Sequence, residues 1–113
     1  MAQTHPLRVA IIGTAARSDY LYGPLLKALP HDVTLVSVWG RSTASASQLG
    51  QSLGVPWYTD LNQLVQETAP EIGIVSVAYN ANGQVGLMAV EHGLHVLLET
   101  PIAHKLSEAD AII

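Results

Sequence analysis

The chain has 113 residues, 49% of them hydrophobic and 12% charged, a balance that supplies a buried core and excludes a disordered segment. Five Lys and Arg against nine Asp and Glu give a formal net charge of -4, too few cations to neutralise a run of phosphates, which argues against a nucleic-acid partner. There is no Cys, hence no disulfide framework, thiolate metal site or cysteine nucleophile, and with no basic leader or long apolar run the expectation is a cytoplasmic protein with no membrane span.

Leu7 to Ile12 (LRVAII) is a short apolar run rich in β-branched residues and closed by Gly13, the pattern of a fully buried strand. In the next segment Pro24 sits in the first turn of a helix or kinks it, and the rings of Tyr20 and Tyr22 are read as packing. Val33 to Trp39 is a second buried strand. Ser42 or Thr43 caps a helix over Ala44 to Leu53, stopped by Gly54. Val55 to Thr59 is a short edge strand, the position that tolerates Pro56. Asp60, three residues before Gln63, reads as a capping box for a helix that carries Leu61, Leu64 and Val65 and ends at Pro70. Ile72 to Ala78 is a third long strand. Val85, Met88, Ala89 and His92 recur at helical steps before Gly93, His95 to Leu98 is a last strand, and Ser107 caps a helix running to Ile113.

Strands apolar on both faces that alternate with helices predict an α/β fold, a Rossmann-type doubly wound parallel sheet in three α/β/α layers. Residues 1–113 read as one domain. The seven residues after Leu106 make a short final helix, so the expectation is a domain truncated at its C-terminus, with a second, substrate domain absent.

In a dinucleotide-binding βαβ unit the first turn carries G-x-G-x-x-G, at the carboxyl ends of the strands. Here that place reads Gly13-Thr14-Ala15-Ala16-Arg17-Ser18. Gly13 fits the tight turn, Ala15 adds a methyl group where the backbone approaches pyrophosphate, and Ser18 is slightly larger than the third glycine. Free N–H groups at the following helix start can still hold an anion, and Arg17 adds a charge-assisted bond. The competing reading is a glycine that merely turns the chain. A phosphate-receiver domain would instead need a carboxylate pair just after the first strand, and Gly13-Thr14 supply none.

At the end of the second strand, where an NAD site places an acidic residue for the ribose hydroxyls, the chain reads Gly40-Arg41-Ser42-Thr43. Without a carboxylate there is nothing to repel a 2′-phosphate, and Arg41 with Ser42 offers a cation and a hydroxyl. NADP is therefore expected in preference to NAD. The competing roles are a turn at Gly40, a helix cap at Ser42 and a solvated side chain at Arg41.

The stretch from Ile72 to Ala78, the block from Glu91 to Ala103 with its G-x-H-V-L-x-E-x-P core at Gly93 to Pro101, and Leu106 to Asp110 together resemble the Gfo/Idh/MocA oxidoreductases. The resemblance runs from Arg8 to the last helix and covers that family's N-terminal NAD(P)-binding domain. It implies hydride transfer between nicotinamide and a small sugar-like or polyol-like substrate in the full-length enzyme, with Glu99 toward the nicotinamide half and Pro101 fixing the turn. The family's lysine between them is Thr100 here, whose hydroxyl orients a substrate oxygen or a water and does not move a proton. By position in the same resemblance, Ala78, Tyr79 and Asn82 line the nicotinamide side; Tyr79 packs against a ring, while Asn82 donates a hydrogen bond or caps the next helix.

The five histidines, His5, His31, His92, His95 and His104, show no metal-ligand spacing, and no metal site is expected. The expected partners are a dinucleotide and, only in the full-length protein, a small-molecule substrate; an exposed apolar surface predicts self-association as a homo-oligomer. The 113 residues alone are expected to bind NADP and turn over nothing. The other function class is a non-catalytic nucleotide-binding or scaffold module, to which Ala15, Ser18 and Thr100 point.

Overall fold

The computed structural model describes residues 5–100, 103 and 105–113, so Pro101 and His104 lie outside the described residues. Five strands, β1 (Leu7–Ile12), β2 (Val33–Trp39), β3 (Trp57–Tyr58), β4 (Ile72–Val75) and β5 (His95–Leu98), pair in parallel in the order β3-β2-β1-β4-β5. The chain moves outward from β1 to β3, then returns to lay β4 and β5 on the other side of β1. The carboxyl ends flanking β1 are thus the place where strand order reverses, and ligands of doubly wound sheets sit there.

The apolar runs become a three-layer core because β1 is covered on both faces. Val9 and Ile11 point toward Tyr22, Leu26, Leu49 and Leu53 on one side. Ala10 and Ile12 point toward Leu61, Leu64, Val85 and Ala89 on the other. Ile11 and Ile12 have no exposed surface, and burying each contributes about 1.5–3 kcal/mol. One face carries α1 (Gly23–Lys27) and α2 (Thr43–Leu53); the other carries α3 (Leu61–Thr68) and α4 (Asn82–Glu91). A last helix, α5 (Leu106–Ile112), packs on α4. No helix among the described residues is long and apolar enough to cross a membrane.

Helix ends follow side-chain chemistry where the sequence supplies it. The Ser42 hydroxyl accepts the Ser45 N–H at 3.1 Å to open α2, and Gly54, left-handed at φ 72°, closes it. Asp60 opens α3 by accepting from Asn62 and Gln63, but the capping box is half made, since Gln63 turns its amide to Glu67. Ala69, left-handed at φ 46°, ends α3 one residue before Pro70.

Other boundaries depart from the sequence pattern. The third long strand stops at Val75, three residues short of Ala78: the Ser76 N–H still pairs with Ile12, but its carbonyl turns to accept from Ala15. The edge strand keeps only Trp57 and Tyr58 of Val55 to Thr59. The final helix is capped at Lys105, so Ser107 falls inside its first turn and caps nothing.

Candidate functional site

Gly13 closes β1 with φ 126°, and a Cβ there would overlap the Ser76 carbonyl and the Val77 side chain. Glycine is required for that turn. The Gly13 N–H donates to Trp39 O at 2.8 Å and the Ala15 N–H to Ser76 O at 3.1 Å, which ties the loop to β2 on one side and β4 on the other. Ser18 is fully buried and donates its hydroxyl to the Gly13 carbonyl at 2.9 Å. The third motif position therefore holds the turn closed by a hydrogen bond where glycine would act by close packing.

Two clefts flank this turn, with Val77 in the wall of both. The first, about 470 Å3, lies on the β2 side and brings together Gly13, Thr14, Arg41 and Ala78. The sequence reading missed Trp39, Asn80 and Gln84 there; Trp39 is fixed by its indole N–H, which donates to Thr59 O at 3.0 Å. Gly40 does not line the cleft but packs between Thr14 and Ala46. Ser42 is spent on its helix cap.

The second cleft, about 490 Å3, lies on the β5 side and gathers Ala15, Ala16, Arg17, Tyr79, Asn82, Glu99 and Thr100. Glu99 is its best-held group. Arg17 Nη1 lies 2.8 Å from Glu99 Oε1, and the Tyr22 hydroxyl donates to that same oxygen. The Asn82 side-chain amide donates to the Glu99 carbonyl at 2.8 Å. The bonds from Tyr22 and Arg17 hold the Glu99 carboxyl below its usual range, so it is an anion at neutral pH. Burial first, and then the Glu99 carboxylate, push the Tyr22 hydroxyl up.

Three expected roles change. Asn82 is not a helix cap, because α4 is capped at Ala81 without a side-chain bond; it ties the end of β4 to the end of β5. Tyr22 is core packing, as read, but its hydroxyl also enters the site, while Tyr20 is exposed and lines the second cleft. Arg17 does not stand free for an anion but is paired with Glu99. Pro101 lies outside the described residues. Among the described residues no three His, Asp or Glu side chains gather in a metal-binding group.

A family model described as "Oxidoreductase family, NAD-binding Rossmann fold" (Gfo/Idh/MocA) matches residues 7–113. The chain is 29% identical over 106 residues to an uncharacterised oxidoreductase of Schizosaccharomyces pombe, covering 92% of this chain and 29% of that protein. It is 24% identical over 108 residues to scyllo-inositol 2-dehydrogenase (NAD(+)) of Bacillus subtilis, covering 95% and 31%. Among solved structures it is similar to KijD10, a 3-ketoreductase from Actinomadura kijaniata in complex with NADP, with a TM-score of 0.81 at 21% identity, covering 96% of this chain and 34% of that one. The chain thus spans about a third or less of the length of each of these relatives.

Proposed function

This chain belongs to the Gfo/Idh/MocA oxidoreductase family as its NAD-binding Rossmann domain, and from that premise we propose that it holds NADP in preference to NAD across the two clefts beside Gly13. The observation that carries this reading is the end of β2. Arg41 reaches the first cleft, and no carboxylate stands there to repel a 2′-phosphate. The residues fit such a ligand: each cleft is of ligand-binding size, and Gly13 lets the turn lie flat against Ser76. The adenosine half belongs with Thr14, Trp39, Arg41 and Ala78; the nicotinamide half belongs with Ala15, Ala16, Tyr79, Asn82, Glu99 and Thr100.

The bound nicotinamide supplies hydride chemistry, and the protein supplies position and charge. Glu99, anionic and fixed, orients the nicotinamide side; Thr100 orients a substrate oxygen or a water. In the whole protein this serves hydride transfer to or from a carbon bearing oxygen or nitrogen on a small polyhydroxylated substrate. The 113 residues alone bind and do not turn over. Titration calorimetry with NADPH and NADH tests the reading: NADPH binds the more tightly, and the preference disappears in Arg41→Ala. Equal affinity for both dinucleotides in the native chain, or a preference that survives Arg41→Ala, overturns it.

A further inference from the structure

The helix that follows the glycine turn does not begin as a regular α-helix. Residues Ser18–Tyr22 form a π-helical segment, closed by the Gly23 N–H on Ser18 O, before α1 proper begins. Such i→i+5 turns are rare and recur at functional sites. Their effect here is geometric. In an α-helix of about 3.6 residues per turn, side chains five apart project to nearly opposite faces; an i→i+5 turn brings them almost into line. Arg17 and Tyr22 are five apart, and both grip Oε1 of Glu99.

The two grips differ in kind. Tyr22 is 7% exposed and belongs to the core under β1, so its bond to Glu99 is held by packing. The Arg17 and Glu99 side chains are 53% and 41% exposed, and an ion pair so far in water is weak and readily exchanged. Its position matters more than its strength. Arg17 leaves the turn after β1, Glu99 leaves β5, and β4 lies between those strands. The pair therefore bridges the carboxyl end of β4, across the cleft that Thr100 and Tyr79 line.

We propose that Arg17, Glu99 and Tyr22 form a clasp over the nicotinamide-side cleft, which opens when Arg17 leaves Glu99 for a phosphate of the incoming dinucleotide while Tyr22 keeps Glu99 in place. This rests on the dinucleotide reading above. Arg17 is the exchangeable member, a cation shared between a carboxylate of the protein and a phosphate of the ligand. Tyr22 is a positioning residue acting through Glu99. The closed pair lowers apparent affinity by the fraction of molecules in which it is made.

Fluorescence titration with NADPH on the native chain, Glu99→Gln, Arg17→Gln and the double variant tests the clasp. Freeing Arg17 in Glu99→Gln tightens binding about three- to tenfold, Arg17→Gln weakens it, and the double variant binds no more tightly than Arg17→Gln. Should Glu99→Gln fail to fold, Glu99→Asp, which withdraws the carboxylate by one methylene, carries the same expectation. The Arg17 Nε–H resonance moves toward its Glu99→Gln position when NADPH is added to the native chain. Unchanged or weaker binding in Glu99→Gln, or an Arg17 resonance that NADPH does not move, overturns the clasp while leaving dinucleotide binding intact. No binding of NADPH or NADH by the native chain or any variant overturns the dinucleotide reading, and the clasp with it.

Discussion

The two clefts beside Gly13 each contain one arginine, and the two are in opposite states. Arg41, on the β2 side, makes no ion pair among the described residues and stands among groups already committed elsewhere: the Ser42 hydroxyl to its cap and the Trp39 indole to Thr59. Arg17, on the β5 side, is bound to a carboxylate that Tyr22 also grips. A cation without a partner is ready to recognise a phosphate, whereas a paired one must first be released. The first cleft is therefore suited to selecting a ligand and the second to positioning one, although the glycine turn is common to both.

Removing the shared element is the most severe test of that division. Gly13→Val places a branched side chain at φ 126° against the Ser76 carbonyl, and the expected cost is about 3 kcal/mol. A urea midpoint measures it, and binding is lost on both sides. If the midpoint holds and only one half-site fails, the turn does not couple the clefts. Next in size, Arg41→Ala weakens NADPH about tenfold to a hundredfold, the worth of one charge-assisted contact to phosphate. The same substitution leaves NADH within about twofold, and calorimetry separates the two.

The difference between the clefts also explains how much was legible in the sequence. The first cleft is built from backbone turns and capping hydroxyls at the ends of buried strands. Continuous apolar runs mark β1 and β2 to the residue, and Ser42, Gly54 and Asp60 announce their helix ends through chemistry local to the chain. Even there Trp39 and Gln84 escaped notice, because nothing in a strand-end tryptophan or a helical glutamine specifies which neighbour it will face. The second cleft depends on contacts between residues 77 apart, as in Tyr22 to Glu99. No periodicity reports a π-helical turn, so the sequence could identify Arg17 as a cation but not Glu99 as its partner. Asn82 looked like a cap because caps and cross-strand ties use the same amide; only the proximity of β5 distinguishes them.

Ser18→Ala sharpens the comparison on a smaller scale. It removes the buried hydroxyl bond to Gly13 O, for which the expected loss is about 1 kcal/mol. Because that bond holds the turn and belongs to neither cleft, NADPH and NADH affinities fall together. A change in their ratio would place Ser18 in one half-site.

The smallest effect is in the pH dependence of stability, and its sign follows from which form each partner favours. The folded state holds the Glu99 carboxyl below its ordinary value near 4.5, through its bonds to Tyr22 and Arg17. That stabilisation is present above the ordinary value and is lost as pH falls through the lowered one. The folded state holds the Tyr22 hydroxyl above its ordinary value near 10, through burial and the adjacent carboxylate. That stabilisation is present below 10 and is lost as pH rises through the raised value. Around neutrality both are complete, so the acid limb belongs to Glu99 and the alkaline limb to Tyr22. Urea unfolding of the native chain and Glu99→Gln at pH 3, 5 and 7 reads the first: the native advantage at pH 5 and 7 shrinks at pH 3. Because both side chains of the ion pair lie largely in water, the change is modest and weakens with salt. An advantage equal at all three pH values would mean that the carboxylate's charge does not hold this side of the site together, and that Tyr22 and Arg17 act on Glu99 through shape alone.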